Sequence, residues 1–462
     1  MLEITPKLDN HSEKPLYVQL YEYIKQEIKV GNLTPEVKLP SKRRLATHLS
    51  LSQNTIEAAY EQLIAEGYIR SIPRKGYYVG ELDQSLVGSY SPRSANSIKE
   101  KQYQGTHDRY DFSQTGVDVR SFPFALLRKL TSELLRSEND QLLKLGHPQG
   151  DYDFRQAIAK YLYESRGVRC SPSQIIIGSG TQYLIRLLFQ LLQGGIFAVE
   201  DPGYHRRHVA FEKWERVKMI PLDEDGMIVS RLEESGATAA FVTPSHQFPC
   251  GMIMPISRRM QLLHWANKSE DRYIIEDDYD SEFRYSGKPI PALQGLDANE
   301  KVVYMGTFSK AFLPSLRVSY MVLPKPLIDL YQNEYFFYAQ TVSQLDQALL
   351  CKFLEEGYWE KHISKMRVIY HKKRDILVAE IMKQFPESVE IIGQDSGLHV
   401  LVRVNNGMTE QELIEKAGQY NSKVYPLSAY GSHDNKTVLL GYATLTEEAI
   451  ADAVQMLVQA WF

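Results

Sequence analysis

Residues 81–107 set the terms on which the rest of this chain can fold. The stretch is rich in Ser, Gln, Asn, Lys and Gly and carries almost no apolar periodicity. A run of that length without a pattern does not belong inside a compact domain, so it reads as a linker. The chain on either side must then bury separate cores. A length of 462 residues agrees, because roughly 150 residues per domain gives about three domains. The boundaries expected are 1–80 for an N-terminal unit, 81–107 for a flexible linker, 108–345 for a large domain and 346–462 for a smaller C-terminal lobe.

The N-terminal unit reads as three helices and a hairpin. Leu16, Leu20, Tyr23, Ile24 and Ile28 recur near helical spacing between Pro15 and Val30, and Gly31 and Pro35 end that helix. Ser41 precedes a second helix carrying Leu45 and Leu49. Ser52 caps a third, Gln53 to Glu66, which buries Ile56, Ala59, Tyr60 and Leu63 and stops at Gly67. Tyr68–Ser71 and Tyr77–Val79 read as short strands around Arg74-Lys75-Gly76. Helix, turn, helix and hairpin in this order make a winged helix-turn-helix, whose recognition helix enters the major groove. Lys42, Arg43 and Arg44 supply cations for phosphates. Gln53, Asn54 and Thr55 supply short polar groups for base edges, and Lys75 and Gly76 sit at the hairpin tip. Residues 1–80 hold 11 Lys and Arg against 9 Asp and Glu, and the whole chain has a net charge of −4. DNA contact therefore rests on local clustering of cations. A protein-binding winged helix is the alternative.

From Tyr110 onward the pattern is α/β. Ile175–Ile177, Ile196–Val199, Ala239–Val242, Tyr273–Ile275 and Val302–Met305 are candidates for buried strands. They alternate with helical stretches such as Leu184–Leu192 and Arg258–Asn267, which implies a mostly parallel sheet with crossovers. After about residue 345 the pattern is mixed and ends in a strand at Val438–Tyr442 and a helix at Glu447–Val458, which suits a smaller α+β lobe.

Three constellations in the α/β part carry chemistry. Gly306-Thr307-Phe308-Ser309-Lys310 follows a strand, and Arg317 stands seven residues on. A lysine amine there can form a Schiff base with an aldehyde cofactor, and the arginine can grip a phosphate with two parallel bonds. Glu276-Asp277-Asp278-Tyr279 ends another strand, where open α/β sheets bind ligands. A carboxylate facing a pyridine nitrogen keeps it protonated; a solvated acidic loop is the plainer reading. Gly178-Ser179-Gly180-Thr181-Gln182 leads from strand to helix, and a helix N-terminus favours a phosphate. An ordinary tight turn explains that stretch equally well.

Two resemblances bind these observations together. Pro40, Ser41, Arg43, Leu45, Ala46, Ser52, Thr55, Glu66, Gly67 and Gly76 to Val79 fit the signature of the GntR family of bacterial repressors, with Gln53 where that family usually has arginine. The phosphate turn, acidic loop, lysine and arginine occur in the order of fold-type I pyridoxal-phosphate aminotransferases. Joined by a linker, the two resemble the MocR/GabR family of transcription regulators across nearly the whole chain. The resemblance implies a multi-domain fold: an N-terminal winged helix-turn-helix plus an α/β fold-type I aminotransferase-like domain with a smaller α+β lobe. It implies pyridoxal 5′-phosphate held by Lys310, with Asp277 at the pyridine nitrogen, Tyr279 at the 3-oxygen and Tyr204 stacked on the ring. Ser179, Gly180, Thr181, Thr307, Ser309 and Arg317 would bind the phosphate, and Arg206 an effector carboxylate. Operator DNA and a second copy of the chain are the implied partners.

Three departures separate the chain from working aminotransferases. Phe248 stands where an asparagine usually reaches the 3-oxygen, and Leu145 where a tyrosine usually reaches the partner's phosphate. No arginine follows Arg403, and Val438–Tyr442 is apolar where a substrate-carboxylate arginine is usual. Ordinary transamination is thus disfavoured, since an unpaired desolvated carboxylate costs several kcal/mol. The expected function is a transcription regulator controlled by pyridoxal phosphate itself, as in vitamin-B6-sensing members, or by an amine or amino acid. An active aminotransferase with an appended DNA-binding domain and a vestigial protein-binding scaffold are the alternatives. The 12 histidines are read as structural or surface groups, so no metal is expected; the three cysteines form no CxxC pair. With no signal peptide and no long apolar run, a cytoplasmic protein without membrane contact is expected.

Overall fold

The computed structural model of the chain describes residues 4–10, 12–81, 109–136, 140–203, 216–285, 290–431 and 434–462. The chain divides into two compact units between Gly105 and Thr106. All of the expected linker except Glu81 lies outside the described residues. No helix among the described residues is long and apolar enough to cross a membrane.

In the first unit, α1 is Leu16–Lys29, α2 is Lys42–Leu49 and α3 is Gln53–Ala65, followed by β1 (Ile69–Ile72) and β2 (Gly76–Val79). Local chemistry fixes the boundaries. The Ser41 side chain accepts from the Arg44 amide, and that of Ser52 from the Thr55 amide. A serine cap of this kind is worth about 1 kcal/mol. Gly67 takes φ 77°, the left-handed conformation that closes α3. Leu20, Ile24, Leu45, Ile56, Tyr60, Leu63, Ile69 and Val79 share one core. The Tyr60 hydroxyl donates to the Pro40 carbonyl (2.9 Å), which ties α3 to the start of α2. β1 and β2 pair antiparallel from Ile69↔Val79 to Ile72↔Gly76 and form the wing.

The second unit is built on an eight-stranded sheet. Its strands are β4 (Ile175–Gly178), β5 (Phe197–Asp201), β6 (Val217–Asp223), β7 (Gly226–Met227), β8 (Ala239–Val242), β9 (Tyr273–Asp278), β10 (Val302–Thr307) and β11 (Ser319–Val322). They lie in the order β4-β11-β10-β9-β8-β5-β6-β7. Neighbours from β10 to β6 are parallel, whereas β11 runs antiparallel to both β10 and β4. The reversal follows from the β10–β11 connection, which holds only the single turn Pro314–Leu316; a parallel return needs a crossover, usually a helix. β4, β8, β9 and β11 are buried at every position, and successive residues feed opposite cores. Ile275 packs with Leu184 and Leu188 on one face, Ile274 with Leu262 and Trp265 on the other.

The C-terminal lobe carries an antiparallel sheet of β12 (Val389–Ile392), β13 (His399–Val404), β16 (Thr437–Gly441) and β15 (Tyr425–Pro426), in that order. The 27-residue helix Tyr358–Gln384 packs against the last helix, Glu447–Trp461. β3 (Tyr110–Asp111) pairs in parallel with β14 (Ser422–Lys423). The first described residues of the large domain are thus joined by backbone to the C-terminal lobe.

Candidate functional site

The period of a strand sorts the acidic run at the end of β9. Alternate side chains face opposite ways, and the partners follow suit. Glu276 accepts from the Leu293 and Gln294 amides, both at 2.8 Å. Asp278 accepts from Arg166 Nε at 2.7 Å and from the Tyr304 hydroxyl at 2.6 Å. These two carboxylates are consumed by structure. Asp277, on the other face, is buried with no donor to its carboxylate among the described residues. Burial, with Asp278, Asp280 and Glu200 nearby, pushes its pKa up to about 8. A carboxylate left in that condition is poised for a cationic partner from outside the chain.

Tyr279 is held by a histidine that the sequence reading had classed as structural or surface. His246 Nδ1 lies 2.9 Å from Asp280 Oδ1 and 2.9 Å from the Tyr279 oxygen. A carboxylate only accepts, so the Nδ1 proton goes to Asp280 and the phenol keeps its own proton to donate. His246 Nε2 is buried without a partner among the described residues. Phe248 takes the place of the usual asparagine, edge-on to Tyr279 at 5.8 Å and to Tyr430 at 4.8 Å.

Lys310 follows β10, the neighbour of β9, where Met305 pairs with Asp277 in register. Its Nζ donates to the Gln114 carbonyl at 2.6 Å. Burial holds the amine below the ordinary lysine range, with Asp280 acting the other way. Such an amine is a better nucleophile at neutral pH. Gln114 also donates through its side chain to the Tyr430 hydroxyl at 2.9 Å, so the N-terminal segment bridges the lysine and the small lobe.

Arg317 and the Gly178–Gly180 turn form the third part. Gly180 takes φ 94°, which favours glycine, and a Cβ there would stand 2.6 Å from Arg317 Nη2 and push the guanidinium from the start of helix Thr181–Leu191. Ser309 Oγ is buried and unpartnered among the described residues. The other expected phosphate ligands differ in freedom. Thr307 Oγ1 is occupied by the Ser309 amide, the Val318 carbonyl and Ser319 Oγ. The Ser179 amide donates to Thr341 Oγ1 at 3.0 Å, and Thr181 Oγ1 lies 3.5 Å from Ser319 Oγ. Tyr204 and Arg206 lie outside the described residues.

Arg403, Lys423 and Lys436 are cations of the C-terminal lobe that lie outside the final strand's apolar run. Arg403 binds Asp434 (3.0 Å) and Glu390 (2.7 Å). Lys423 stands over the Tyr425 ring at 5.5 Å, and Lys436 is exposed. β16 is buried along its whole length. No group of three metal-ligating side chains occurs among the described residues.

In the first unit, Arg43, Arg44, Gln53, Asn54 and Lys75 are exposed, as a DNA-facing surface requires. Lys42 is instead ion-paired with Glu57 and lies 5.8 Å over the Tyr77 ring. Thr55 is turned toward Ser52 Oγ at 2.8 Å. Gly76 takes φ 112° at the wing tip.

Comparison with known proteins agrees with both halves. Residues 16–79 match the bacterial regulatory proteins of the gntR family, and residues 117–457 match aminotransferase class I and II. The chain is 43% identical to YdeL of Bacillus subtilis (strain 168), an HTH-type transcriptional regulator, with 100% of both covered. It is 31% identical to the probable rhizopine catabolism regulatory protein MocR of Rhizobium meliloti, over 98% of this chain and 95% of that one. The crystal structure of a multiple substrate aminotransferase from Thermococcus profundus superposes with a TM-score of 0.67 at 27% identity, covering 77% of this chain and 92% of that chain. The chain therefore belongs to the MocR-type transcription regulators, in which a gntR-family winged helix is fused to an aminotransferase class I and II domain.

Proposed function

We propose that the aminotransferase-like domain carries pyridoxal 5′-phosphate on Lys310 and that the ligand state of this site sets the affinity of the winged helix for operator DNA. The observation that carries the proposal is the set of uncommitted groups at the C-terminal ends of the neighbouring strands β9 and β10. Among the described residues, Asp277 is a buried carboxylate without a donor, Lys310 is an amine with only a neutral partner, and Ser309 Oγ is buried and unsatisfied. Groups left so in a folded protein call for a ligand.

Pyridoxal phosphate supplies an aldehyde that amines condense with and a ring that withdraws electrons. Lys310 would hold the aldehyde carbon. Asp277 would accept from the ring nitrogen, and Tyr279, fixed by His246 and Asp280, would donate to the 3-oxygen. Arg317, Ser309 and the N-terminus of helix Thr181–Leu191 would take the phosphate. Tyr204 would stack on the ring. The engagement of Arg403 and the apolar β16 argue for a sensor rather than a transaminase. The same shortage of cations favours the cofactor itself as the effector; an amine or amino acid anchored by Arg206 alone is the rival. A second copy of the chain would cover Leu143, Leu145 and Phe337, which are 89%, 100% and 78% exposed.

The test is an absorbance titration of cofactor-free protein with pyridoxal phosphate, followed by borohydride. The native protein should gain a band near the visible edge and a reduced adduct on Lys310. Lys310→Ala should gain neither, and an adduct retained in that variant overturns the assignment.

A further inference from the structure

A cavity of about 170 Å³ lies between the large domain and the long helix Tyr358–Gln384, and its lining does not include Lys310. It is lined by Tyr161 and Ser165 of helix Tyr152–Arg166, by Ser281 and Glu282 beyond β9, and by Trp359 and Arg367 of the long helix Tyr358–Gln384. Its polar groups are unspent. Glu282 Oε1 accepts from the Tyr161 hydroxyl at 3.2 Å, while Oε2 is buried with no partner among the described residues. Trp359 is 1% exposed; its Nε1 faces the Tyr161 hydroxyl but makes no hydrogen bond of full geometry among the described residues. Arg367, partly exposed, donates Nε to the Glu282 carbonyl at 2.9 Å, and no bond from its terminal nitrogens is made among the described residues. Buried polar atoms without partners are rare in folded proteins. Here an acceptor, an indole donor and a guanidinium meet at one cavity.

From this geometry we infer a second ligand site, which takes a small zwitterionic amino compound. The Glu282 carboxylate receives the ammonium, beside the Tyr161 and Trp359 rings, which meet edge to face at 5.9 Å. Arg367 and the Trp359 N–H receive the carboxylate. The size agrees, since a cavity of roughly 150 Å³ holds benzene. A ligand carrying only one of the two charges leaves one set of groups unsatisfied, which is the basis of selection.

The site is wired to the cofactor cleft by two shared pieces. Arg166 lines the cavity and grips Asp278, the neighbour of Asp277. The loop that presents Glu282 also presents Tyr279 and Asp280, the pair clamped by His246. The long helix that supplies Trp359 and Arg367 also packs on the last helix of the small lobe. Occupancy pins this helix to the large domain and biases how the small lobe sits over Lys310, provided the ligand prefers one arrangement.

The test is calorimetric titration of the full-length protein after its cofactor has been fixed on Lys310 with borohydride, which blocks condensation of amines there. The probes are glycine, β-alanine and L-serine, with propylamine and propionate as single-charge controls. At least one amino compound should bind saturably, at least tenfold more tightly than either control. Glu282→Gln should weaken it at least tenfold, as should the half-exposed Arg367→Met, and Trp359→Phe by a few-fold. Near-UV circular dichroism reports whether each variant keeps its fold; if Glu282→Gln does not, Arg367→Met decides. No saturable binding of any probe to the native protein overturns the proposal. So does undiminished binding in the folded variants. Failure to fix the cofactor at all would count against the cofactor reading, and the titration would then be run on Lys310→Ala.

Discussion

The two ends of the molecule handle charge in opposite ways. In the winged helix, Arg43, Arg44 and Asn54 stand exposed within 12 residues of one another in sequence, on helices whose ends are set by Ser41 and Ser52. In the aminotransferase-like domain the charges are buried and come from afar. Arg166 meets Asp278 across 112 positions, and Lys310 meets Gln114 across 196. Exposed cations cost the fold almost nothing, and they stand where a phosphate can reach them. Buried ones are costly unless compensated, so each uncompensated group marks a place where a ligand is missing. The contrast teaches where to look for function in each half: on the surface of one, and among the unsatisfied atoms of the other.

The contrast breaks most visibly at Arg166. Arg166→Met leaves Asp278 without its guanidinium, and removing one partner of a buried pair costs roughly 3–5 kcal/mol. Chemical denaturation should find that loss, whereas Arg43→Ala should stay within about 0.5 kcal/mol of the parent. DNA binding reverses the ranking. Asn54→Ala should lose about 1–3 kcal/mol of discrimination between operator and mismatched sites. Arg43→Ala should weaken all sites about equally and lower the slope of log affinity against log salt by about 1. Competition binding at several salt concentrations separates the two.

A smaller effect concerns pH. The folded-state pKa of Asp277, about 8, lies above its ordinary value of 3.8. Its contribution to stability is therefore present in full below about pH 4 and is lost as pH rises through 8. Cofactor-free protein should melt lower at pH 8 than at pH 5, by at least about 2–4 °C more than Asp277→Asn does; that is the shift made by about 1 kcal/mol in a domain of some 200 residues. A parallel pH dependence in both proteins would mean that Asp277 is not the group responsible. The smallest effect belongs to Lys42, whose ammonium is shared with Glu57. Lys42→Met should cost less than half the operator affinity that Arg43→Ala does, and at most about 1 kcal/mol of stability.

Legibility in the sequence follows the same divide. Ser41, Ser52 and Gly67 carry their meaning locally, so α2, α3 and the wing stand within a residue or two of where spacing puts them. β8 spans Ala239–Val242 as the apolar run predicts, and β9 and β10 contain their predicted runs. Lys310, Asp277 and Tyr279 stand out in the sequence because strand ends and motif order mark them, and the fold places all three at the ends of β9 and β10. The antiparallel sense of β11 and the pairing of β3 with β14 were not legible, since nothing local reports a partner strand. His246 and Gln114 were passed over for the same reason: their importance lies in contacts made 33 and 316 positions away. Thr307 shows the converse: its place in the motif is plain in the sequence, but the bonds its hydroxyl makes to Ser309, Val318 and Ser319 are not.

The central claim is that the ligand state of the Lys310 site sets DNA affinity. Its most direct test is operator affinity of the full-length protein in three states: cofactor-free, loaded with pyridoxal phosphate, and loaded with a panel of amines added. Coupling between sites is commonly 5–150-fold. The account predicts that loading alone shifts affinity at least about fivefold and that Lys310→Ala abolishes the shift. A shift seen only when an amine is added would move the effector role from the cofactor to the amine. Equal affinity in all three states would contradict the claim.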